Sequence, residues 1–382
     1  MVTMKLKDCC TIIAGQSPES KYYNTEGIGI PFFQGKTDFG EVYPTVRVYC
    51  SQPTKIAEKD DVLLSVRAPV GPTNLSPGRV CIGRGLTAIR PSEILNLKYL
   101  LYYFRYFEAQ LQQKGTGTTF KAITQDVVKN LDIPIPSLDE QDHIVAKIEE
   151  LFSELDNGVE TLRKTKQQLA VYRQAVLKDA FSHITEKKTI REASSVVTSG
   201  SRGWAQYYSD HGAKFVRIGN LTRDRIRIDL SDIQFVDLPD DAEGKRTQLQ
   251  PNDVLVSITA DLGSIGLVPD DIGEAYVNQH IAMVRFLNPV QGEFMAWYLR
   301  SDYGQKDLLK NKRGGGKLGL GLDDIRDSRV PVVSDAEAIK IVENIEARLS
   351  VCDSIEKTVD TALQQAEALR QSILKQAFEG KL

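Results

Sequence analysis

The sequence predicts an α+β fold in which two similar mixed α/β domains are separated by two long antiparallel helices that form a coiled coil. A segment that occurs twice supports this prediction: Pro134 and Pro331 are 197 residues apart, and so are Phe181 and Phe378. A constant offset across a whole segment indicates one structural unit used twice. The chain is therefore predicted to have a pseudo-two-fold internal repeat.

Each copy of the repeated segment begins with proline, which favours extended backbone, and continues as a long amphipathic pattern. Apolar residues then recur at intervals of three and four, close to the period of a coiled coil. A helix from Leu138 to Phe181 would be roughly 60 Å long, at about 1.5 Å per residue. Such a helix needs a partner, and the helix of the other copy is the expected one.

The parts of the chain outside these helices also repeat. In the first part, Ile30–Gln34 and Asp61–Arg67 are predicted strands, and residues 115–119 are a glycine loop. Between them, Leu97–Gln113 is a predicted helix, and the helical spacing of its aromatic residues predicts that they belong to the core. The corresponding elements of the second part are predicted, in the same order, at Lys214–Asn220, Asp253–Ile258, Phe294–Leu309 and Gly314–Lys317.

The offset between the two parts grows along the chain, from 184 residues between Gly35 and Gly219 to 197 at the helices. The loops therefore differ in length on a shared frame, which favours two domains that recognise different things. The last residues of the chain also continue the repeat into its first residues, as near two-fold symmetry requires. The predicted boundaries are a first domain at 1–135, a helical spacer at 136–185, a second domain at 186–333 and a second spacer at 334–382.

The charge of the chain is unevenly distributed. The 382 residues have a formal net charge of −3, which as an average argues weakly against a nucleic-acid binder. The segments Leu138–Ile184 and Asp335–Leu382 each contain nine acidic and six basic residues and together carry −6, which leaves +3 for the remainder. This basic bias outside the helices is compatible with contact to phosphate.

Several classes of site find no support in the sequence. Five cysteines without CxxC spacing (Cys9, Cys10, Cys50, Cys81 and Cys352) predict free thiols, and the four histidines lack metal-ligand spacing, so no metal site is expected. Without an apparent signal peptide or a long apolar run, the expected location is the cytoplasm and no membrane partner is expected.

No enzyme signature is found either, so no catalytic residue and no cofactor-binding residue is predicted. A methyltransferase would need a glycine-rich cofactor loop and a polar-Pro-Pro-aromatic loop, which Ile133–Pro136 does not match. Arg313–Lys317 is followed by Leu318 where a phosphate-binding loop needs Ser or Thr. Pro239–Lys245 has the residue types of a metal nuclease, but its carboxylates are too close in sequence, and a solvated loop is the preferred interpretation.

The sequence offers more residues suited to binding nucleic acid than residues suited to catalysis. Arg and Lys bind phosphates or guanine edges, and Asn or Gln bind adenine. The denser cluster of such residues is in the second domain, at Lys214, Arg217, Asn220, Arg223, Arg225, Lys312, Arg313 and Lys317. The candidates in the first domain are Gln34, Lys36, Arg67, Arg84, Lys114, Thr118 and Lys121.

Three stretches resemble the DNA-specificity subunit of type I restriction-modification systems. They are Gly115–Thr119 (Gly-Thr-Gly-Thr-Thr), Asp132–Gln141 (Asp-Ile-Pro-Ile-Pro-Ser-Leu-Asp-Glu-Gln) and Ile144–Phe152 (Ile-Val-Ala-Lys-Ile-Glu-Glu-Leu-Phe). The strands Asp61–Arg67 and Asp253–Ile258 are also similar to those of the family's target-recognition domains. The resemblance extends over nearly the whole chain, in both halves.

The resemblance implies a non-catalytic protein with two target-recognition domains, each reading one half of a bipartite double-stranded DNA target. The helices would dock two methyltransferase subunits, and restriction subunits are further partners that the family allows. S-adenosylmethionine, ATP and magnesium would then belong to the partner subunits. Two other functions remain open from the residues alone, a coiled-coil scaffold that does not bind DNA and a stand-alone DNA methyltransferase, the latter disfavoured by its missing motifs.

The sequence departs from the family pattern in two places. The second copy reads Pro331-Val332-Val333 without the following Pro and Glu-Gln, so its helix is expected to start differently in detail. Asn157-Gly158 lies inside the first helix, where a kink or short break is expected. Helix length is expected to set the spacing of the two half-sites.

Overall fold

The computed structural model describes residues 2–116, 121–200, 202–223, 225–239, 247–310 and 319–382. The chain divides into two compact units, Met1–Leu162 with Thr361–Leu382, and Arg163–Asp360. Each unit contains one mixed α/β domain and a part of each of two long helices. No helix in the described ranges is both long enough and apolar enough to cross a membrane.

The first domain begins at the N-terminus and leads into the first long helix. Its strands are β1 (Val2–Lys5), β2 (Cys10–Ala14), β3 (Tyr23–Asn24), β4 (Ile30–Phe33), β5 (Val48–Cys50), β6 (Ile56–Ala57), β7 (Val62–Ser65), β8 (Thr73–Leu75), β9 (Val80–Ile82), β10 (Leu86–Pro91) and β11 (Asp132–Ile135). Its helices are α1 (Leu6–Cys9), α2 (Leu97–Lys114), α3 (Gln125–Lys129) and the start of α4 (Leu138–Phe181). The sheets have the strand orders β1-β11, β2-β10-β7-β8 and β3-β5-β4-β9-β6.

The second domain repeats this arrangement. Its strands are β12 (Lys187–Thr189), β13 (Ser194–Ser199), β14 (Tyr208–Ser209), β15 (Ala213–Val216), β16 (Gln234–Val236), β17 (Val254–Ser257), β18 (Ile265–Leu267), β19 (Ala275–Val277), β20 (Ile281–Phe286) and β21 (Arg329–Pro331). Its helices are α5 (Ile190–Ala193), α6 (Gly292–Arg300), α7 (Asp302–Leu308), α8 (Leu322–Arg326) and the start of α9 (Asp335–Phe378). The sheets have the orders β12-β21, β13-β20-β17-β18 and β14-β16-β15-β19.

A fully buried strand separates two cores in each domain. Val62 and Leu64 of β7 pack in one cluster with Tyr99 of α2, whereas Leu63 faces a second cluster that contains Phe33 of β4. Successive side chains of a strand point to opposite faces, so a short continuous apolar run is what a strand covered on both faces requires. Tyr99 is 1% exposed and Phe104 is 0% exposed, which confirms that the aromatic residues of this helix belong to the core.

Each domain also has a bidentate ion pair between an arginine and a buried aspartate at the start of that strand. Arg90 Nε and Nη2 donate to the two carboxylate oxygens of Asp61 at 2.7 and 2.8 Å, and Arg285 donates in the same way to Asp253 at 2.8 and 2.6 Å. Both aspartates are 1% exposed. Burial raises the pKa of Asp253, and the hydrogen bonds from Arg285 act in the opposite direction. The repeated pair anchors the corresponding turn in both domains.

The two long helices have the bounds that the repeat predicts, and they pair antiparallel within each unit. In the second unit, the pairing is marked by ion pairs in which the residue numbers on one helix rise as those on the other fall: Lys166 with Asp360 (2.8 Å), Arg173 with Glu356 (2.9 Å) and Asp179 with Arg348 (2.8 Å). In the first unit, Arg370 of α9 pairs with Asp156 of α4 and lies 4.9 Å from the ring centre of Phe152. The predicted antiparallel arrangement is confirmed.

The starts of the two long helices differ, as the departure in the second copy predicts. At α4, Ser137 and Glu140 form a capping box, and the buried side chain of Gln141 reaches back to Asn96 N at 2.8 Å and Ile94 O at 2.9 Å. At α9, Ala338 stands where Gln141 does. The contact is reversed there: Gln291 Nε2 donates forward to Val333 O at 3.2 Å and to Asp335 at 2.7 Å.

The break expected at Asn157-Gly158 does not occur, since α4 is continuous from Leu138 to Phe181. Both residues are exposed, and a Cβ on Gly158 would meet nothing within 4 Å. An exposed glycine costs a helix about 1 kcal/mol relative to alanine, which is small beside the ion pair and cation–π contact that hold the adjacent turns. Packing therefore overrides the local preference.

A second expectation is also wrong in detail, because the helix predicted over Phe294–Leu309 is two helices, α6 and α7. Ser301 separates them with an extended backbone (φ −65°, ψ 160°), and its hydroxyl accepts a hydrogen bond from Gly304 N at 3.4 Å. The apolar pattern continues through this point, but the buried serine ends one helix and caps the next.

The contact of α6 with α9 predicts a pH-dependent stability. Burial and the proximity of Glu346 raise the pKa of Glu293 to about 7, while Arg227, which donates to Glu293 at 2.8 Å, opposes the shift and Asp270 adds to it. The Glu293 carboxyl group then binds a proton more tightly in the folded state than in the unfolded state. Its contribution to the free energy of unfolding is therefore largest at pH values below its pKa in the unfolded state. That stability is lost as pH rises through about 7.

Urea unfolding between pH 5 and 8 is expected to show a decline of roughly 1–3 kcal/mol that Glu293→Gln removes. Glu343→Gln, at an exposed position of α9, is the control and should leave the decline unchanged. An unchanged pH dependence in Glu293→Gln would contradict the assignment.

Candidate nucleic-acid interface

A surface cleft in the first domain brings together four of the predicted residues. It lies where the loop after β4 and the loop between β9 and β10 meet the end of β7, and its volume is about 870 Å³. Gln34, Lys36, Arg67 and Arg84 line it, and all four side chains are exposed. The remaining lining residues are Ser17, Pro18, Ser20, Tyr23, Gly35, Thr37, Ser65, Ala68, Pro69 and Gly85.

Two glycines allow the loops of this cleft to approach. A Cβ on Gly85 would lie 2.2 Å from the backbone oxygen of Gln34, and one on Gly83 would lie 3.2 Å from the Cα of Gln34. Gly83 N also donates to Phe33 O at 2.8 Å. The loop that carries Arg84 is thereby held directly against the residue after β4.

The cations of this first cleft are available to an external ligand. Within the described ranges, no Asp or Glu oxygen lies within 4.0 Å of the charged nitrogens of Lys36, Arg67 or Arg84. Lys36 still lowers the pKa of Glu108 through its charge, against the larger effect of burial, which raises it. A polar concave surface with three cations that lack a carboxylate partner is suited to an anionic or hydrogen-bond-accepting ligand.

Tyr23 forms part of the wall between these groups. Its hydroxyl donates to Pro18 O at 2.7 Å. Burial raises the pKa of Tyr23, whereas a hydrogen bond with Gln34 and the charge of Arg84 act to lower it. Gln34 and Arg84 therefore both lie close to the same phenol.

The glycine loop of the first domain begins and ends beside this cleft. Thr116 and Ala122 exchange backbone hydrogen bonds of 3.0 Å, and the backbone of Arg67 forms an antiparallel β-bridge with that of Ala122. The predicted residues Lys114 and Lys121 lie at the two sides of the loop and are exposed. Thr118 is outside the described residues.

A second cleft, of about 420 Å³, lies in the second domain between the corresponding loops. Two predicted residues line it, Arg217 and Asn220, together with Ile218, Gly219, Asp229, Ser231, Asp232, Asn278 and His280. Asn220 is 4% exposed, and its amide accepts from Arg217 N at 2.8 Å and donates to Asp229 O at 2.8 Å. Asn220 therefore supports the wall of the cleft through these two hydrogen bonds.

The other predicted residues of the second domain do not form the dense cluster that the sequence suggests. Arg223 holds Asp261 with a shortest distance of 2.5 Å, and Lys214 donates to Ile272 O at 2.6 Å. Arg217 lies 3.9 Å from Asp232, and Arg225 is exposed. Lys312, Arg313 and Lys317 are outside the described residues, as is most of the loop Pro239–Lys245.

Sequence reasoning missed His280, which lines this cleft, and its two polar partners Thr259 and Gln279. His280 Nδ1 lies 2.7 Å from Thr259 Oγ1, and His280 Nε2 lies 2.9 Å from Gln279 Nε2. Thr259 also forms a bridge with Gly319, where the second glycine loop rejoins the domain. The only signal available was the repeat itself, since these residues stand where Arg67 and Arg84–Gly85 stand in the first domain.

The cysteines and possible metal ligands add no further site. Cys9, Cys10, Cys50, Cys81 and Cys352 all have free thiols. Among the described residues, no cluster of three or more His, Cys, Asp or Glu side chains is arranged to hold a metal ion.

The fold and the two clefts define a chain with two similar α/β domains, each with a polar cleft, built on one duplicated scaffold. Residues 1–169 match the family described as the type I restriction modification DNA specificity domain. A chain in a solved structure on complex assembly and conformational transition of the type I R-M system has the same fold, with a TM-score of 0.78 and 18% identity, covering 100% of this chain and 98% of that one.

Two relatives extend the comparison. The putative type I restriction enzyme MjaX specificity subunit of Methanocaldococcus jannaschii is 42% identical over 159 residues, which are 41% of this chain and 36% of the relative. The type I restriction enzyme EcoBI specificity subunit of Escherichia coli is 25% identical over 321 residues, 75% of this chain and 66% of the relative. The matches thus span about a third and just under two thirds of these relatives. Over these stretches the chain is similar to the specificity subunits of type I restriction enzymes.

Proposed function

We propose that this chain is the DNA-sequence-specificity subunit of a type I restriction-modification complex and reads a bipartite double-stranded target. The observation that carries the proposal is the repetition of a polar cleft, at corresponding loops, in two domains with different side chains. Proteins position themselves on DNA through phosphate contacts and read sequence through Arg, Lys, Asn and Gln at base edges. Two different clefts on one scaffold suit two different half-sites.

Each copy of the repeat supplies one target-recognition domain and one helical spacer. Residues 1–135 and 186–333 act as the target-recognition domains, and residues 136–185 and 334–382 act as the helical spacers. Two methyltransferase subunits dock on the helices, and restriction subunits join the complex through them. Apolar side chains exposed on the helices support such docking, with Val171 71% and Val351 59% exposed in the second unit.

The chain itself is not an enzyme in this proposal. S-adenosylmethionine belongs to the methyltransferase subunits, and ATP and magnesium belong to the restriction subunits. The complex works in the cytoplasm, where the host DNA is.

Selection of random duplex DNA by the full chain, alone and with its methyltransferase subunits, tests the proposal. The expected result is a motif of two short specific parts with an unread spacer between them, bound with an affinity that falls steeply with salt. One contiguous motif or salt-insensitive binding would contradict it. A scaffold without DNA binding predicts no enrichment, and a stand-alone methyltransferase predicts labelled methyl transfer by the isolated chain, which we expect to be absent.

A further inference from the structure

Arg84 and Gln279 occupy the same place in the two domains. Each lies in the loop that joins a pair of corresponding strands, β9 to β10 in the first domain and β19 to β20 in the second. Each also lies six residues before an arginine, Arg90 or Arg285, that makes the bidentate pair with the buried aspartate of its domain. The duplicated frame thus presents two different side chains from one position.

The surroundings of Arg84 hold its backbone and leave its side chain available. Arg84 N donates to Ser17 Oγ at 3.3 Å, and Leu86 N donates to Gly83 O at 2.9 Å, so the loop is fixed on both sides. The side chain lines the first cleft and has no carboxylate partner within 4.0 Å among the described residues. A guanidinium presents parallel N–H donors that suit two neighbouring acceptors.

The surroundings of Gln279 prepare an amide in the same way. As the amide is placed, Nε2 is only a donor, so His280 Nε2 accepts at 2.9 Å and His280 Nδ1 carries the proton that is donated to Thr259 Oγ1 at 2.7 Å. This contact uses one amide hydrogen. Within the described part of the chain, the other hydrogen and the Oε1 acceptor have no partner, and together they form a donor and acceptor pair beside the second cleft.

We propose, building on the function proposed above, that Arg84 reads a guanine in the half-site of the first domain and that Gln279 reads an adenine in the half-site of the second. Guanine presents two acceptors, O6 and N7, in the major groove, which match the paired donors of Arg84. Adenine presents the N7 acceptor and the N6 donor, which match the remaining donor and acceptor of Gln279. His280 and Thr259 are positioning residues that fix the orientation of the amide.

Selection of random duplex DNA by the full chain with reciprocal variants tests this inference. Arg84→Gln should change one position of one half-site from guanine to adenine, and Gln279→Arg should change one position of the other half-site from adenine to guanine. In each variant the preference between the two bases should move by roughly five- to 150-fold, the range of one bidentate contact. Arg79→Gln, an exposed arginine of the first domain that lies outside the cleft, is the matched control and should leave the motif unchanged.

Other outcomes separate the possible failures. Arg84→Lys keeps the charge and can still contact guanine but lacks the paired planar donors, so it should weaken the guanine preference while the salt dependence of binding stays the same. If Arg84→Gln weakens binding equally for all sequences and leaves the selected base unchanged, Arg84 contacts phosphate and the inference is wrong. If the unaltered chain selects no bipartite motif, the proposed function fails instead. Thermal melting of each variant identifies any loss of binding that is due to unfolding, and the base selected by the variants that remain folded, Arg84→Gln or Gln279→Arg, then decides the case.

Discussion

Replacing Lys36, Arg67 and Arg84 together by alanine is expected to weaken binding of the full chain to its DNA target by roughly 100-fold or more at 0.1 M salt. These three cations line one cleft, their side chains are exposed, and the described residues offer them no carboxylate partner within 4.0 Å. Their charge can therefore displace counterions from DNA, whereas the charge of a cation in an ion pair is already partly neutralised by the carboxylate of the protein.

Titration of fluorescent duplex DNA at several salt concentrations measures this effect. Beyond the loss of affinity, the slope of log affinity against log salt should decrease by about 0.9 for each phosphate contact that is removed. The matched control is the triple alanine variant of Lys5, Arg79 and Lys98, which removes the same charge from the same domain. Unlike the residues of the cleft, these three cations form ion pairs, with Asp132, Glu58 and Glu149 respectively. Equal losses in the two triple variants would show that only net charge matters and that the cleft is not the binding surface.

Replacing Arg285 by alanine is expected to lower the free energy of unfolding by about 3–5 kcal/mol at pH 7. Asp253 is 1% exposed and would keep its charge without its partner, and Arg285 Nη2 also donates to Gln248 O at 3.0 Å. Urea unfolding followed by circular dichroism measures the change. Arg191→Ala is the control, because Arg191 is 55% exposed and its partners Asp323 and Asp327 are exposed as well, so its loss should cost less than about 1 kcal/mol.

The pH dependence of this variant distinguishes a buried charge from a loss of packing. Burial already raises the pKa of Asp253, and without Arg285 the opposing contribution is gone, so the folded-state pKa rises further above the unfolded value. The folded state then gains a proton as pH falls, and the destabilisation should shrink between pH 7 and pH 4. The double variant Asp253→Asn, Arg285→Met should recover part of the loss at pH 7. A penalty that is independent of pH and persists in the double variant would show that the arginine acts through packing alone.

The sequence by itself determined the parts of this protein that depend on repetition and periodicity. The helix bounds at Leu138, Phe181 and Phe378, the duplication of the domains and the buried strands at Asp61 and Asp253 were all predictable. These features follow from residues that are close in sequence or from a constant offset, since apolar spacing determines which face of a helix or strand is buried.

Tertiary structure alone decided which polar residues are available at the candidate interface. Arg67 and Arg223 look equivalent in the sequence, but Arg223 is bound by Asp261, 38 residues away, while Arg67 lies in an open cleft. Gln279 and His280 carried no local signal, because the contact that orients His280 is made with Thr259, 21 residues earlier in the chain and after the end of β17. Pairing between residues distant in the chain is set by sheet register and loop length, which no local pattern encodes. Contacts between distant residues also lie beside Asn157-Gly158, where the local sequence favours a break: Arg370 of α9 pairs with Asp156 and lies over Phe152, and α4 is continuous.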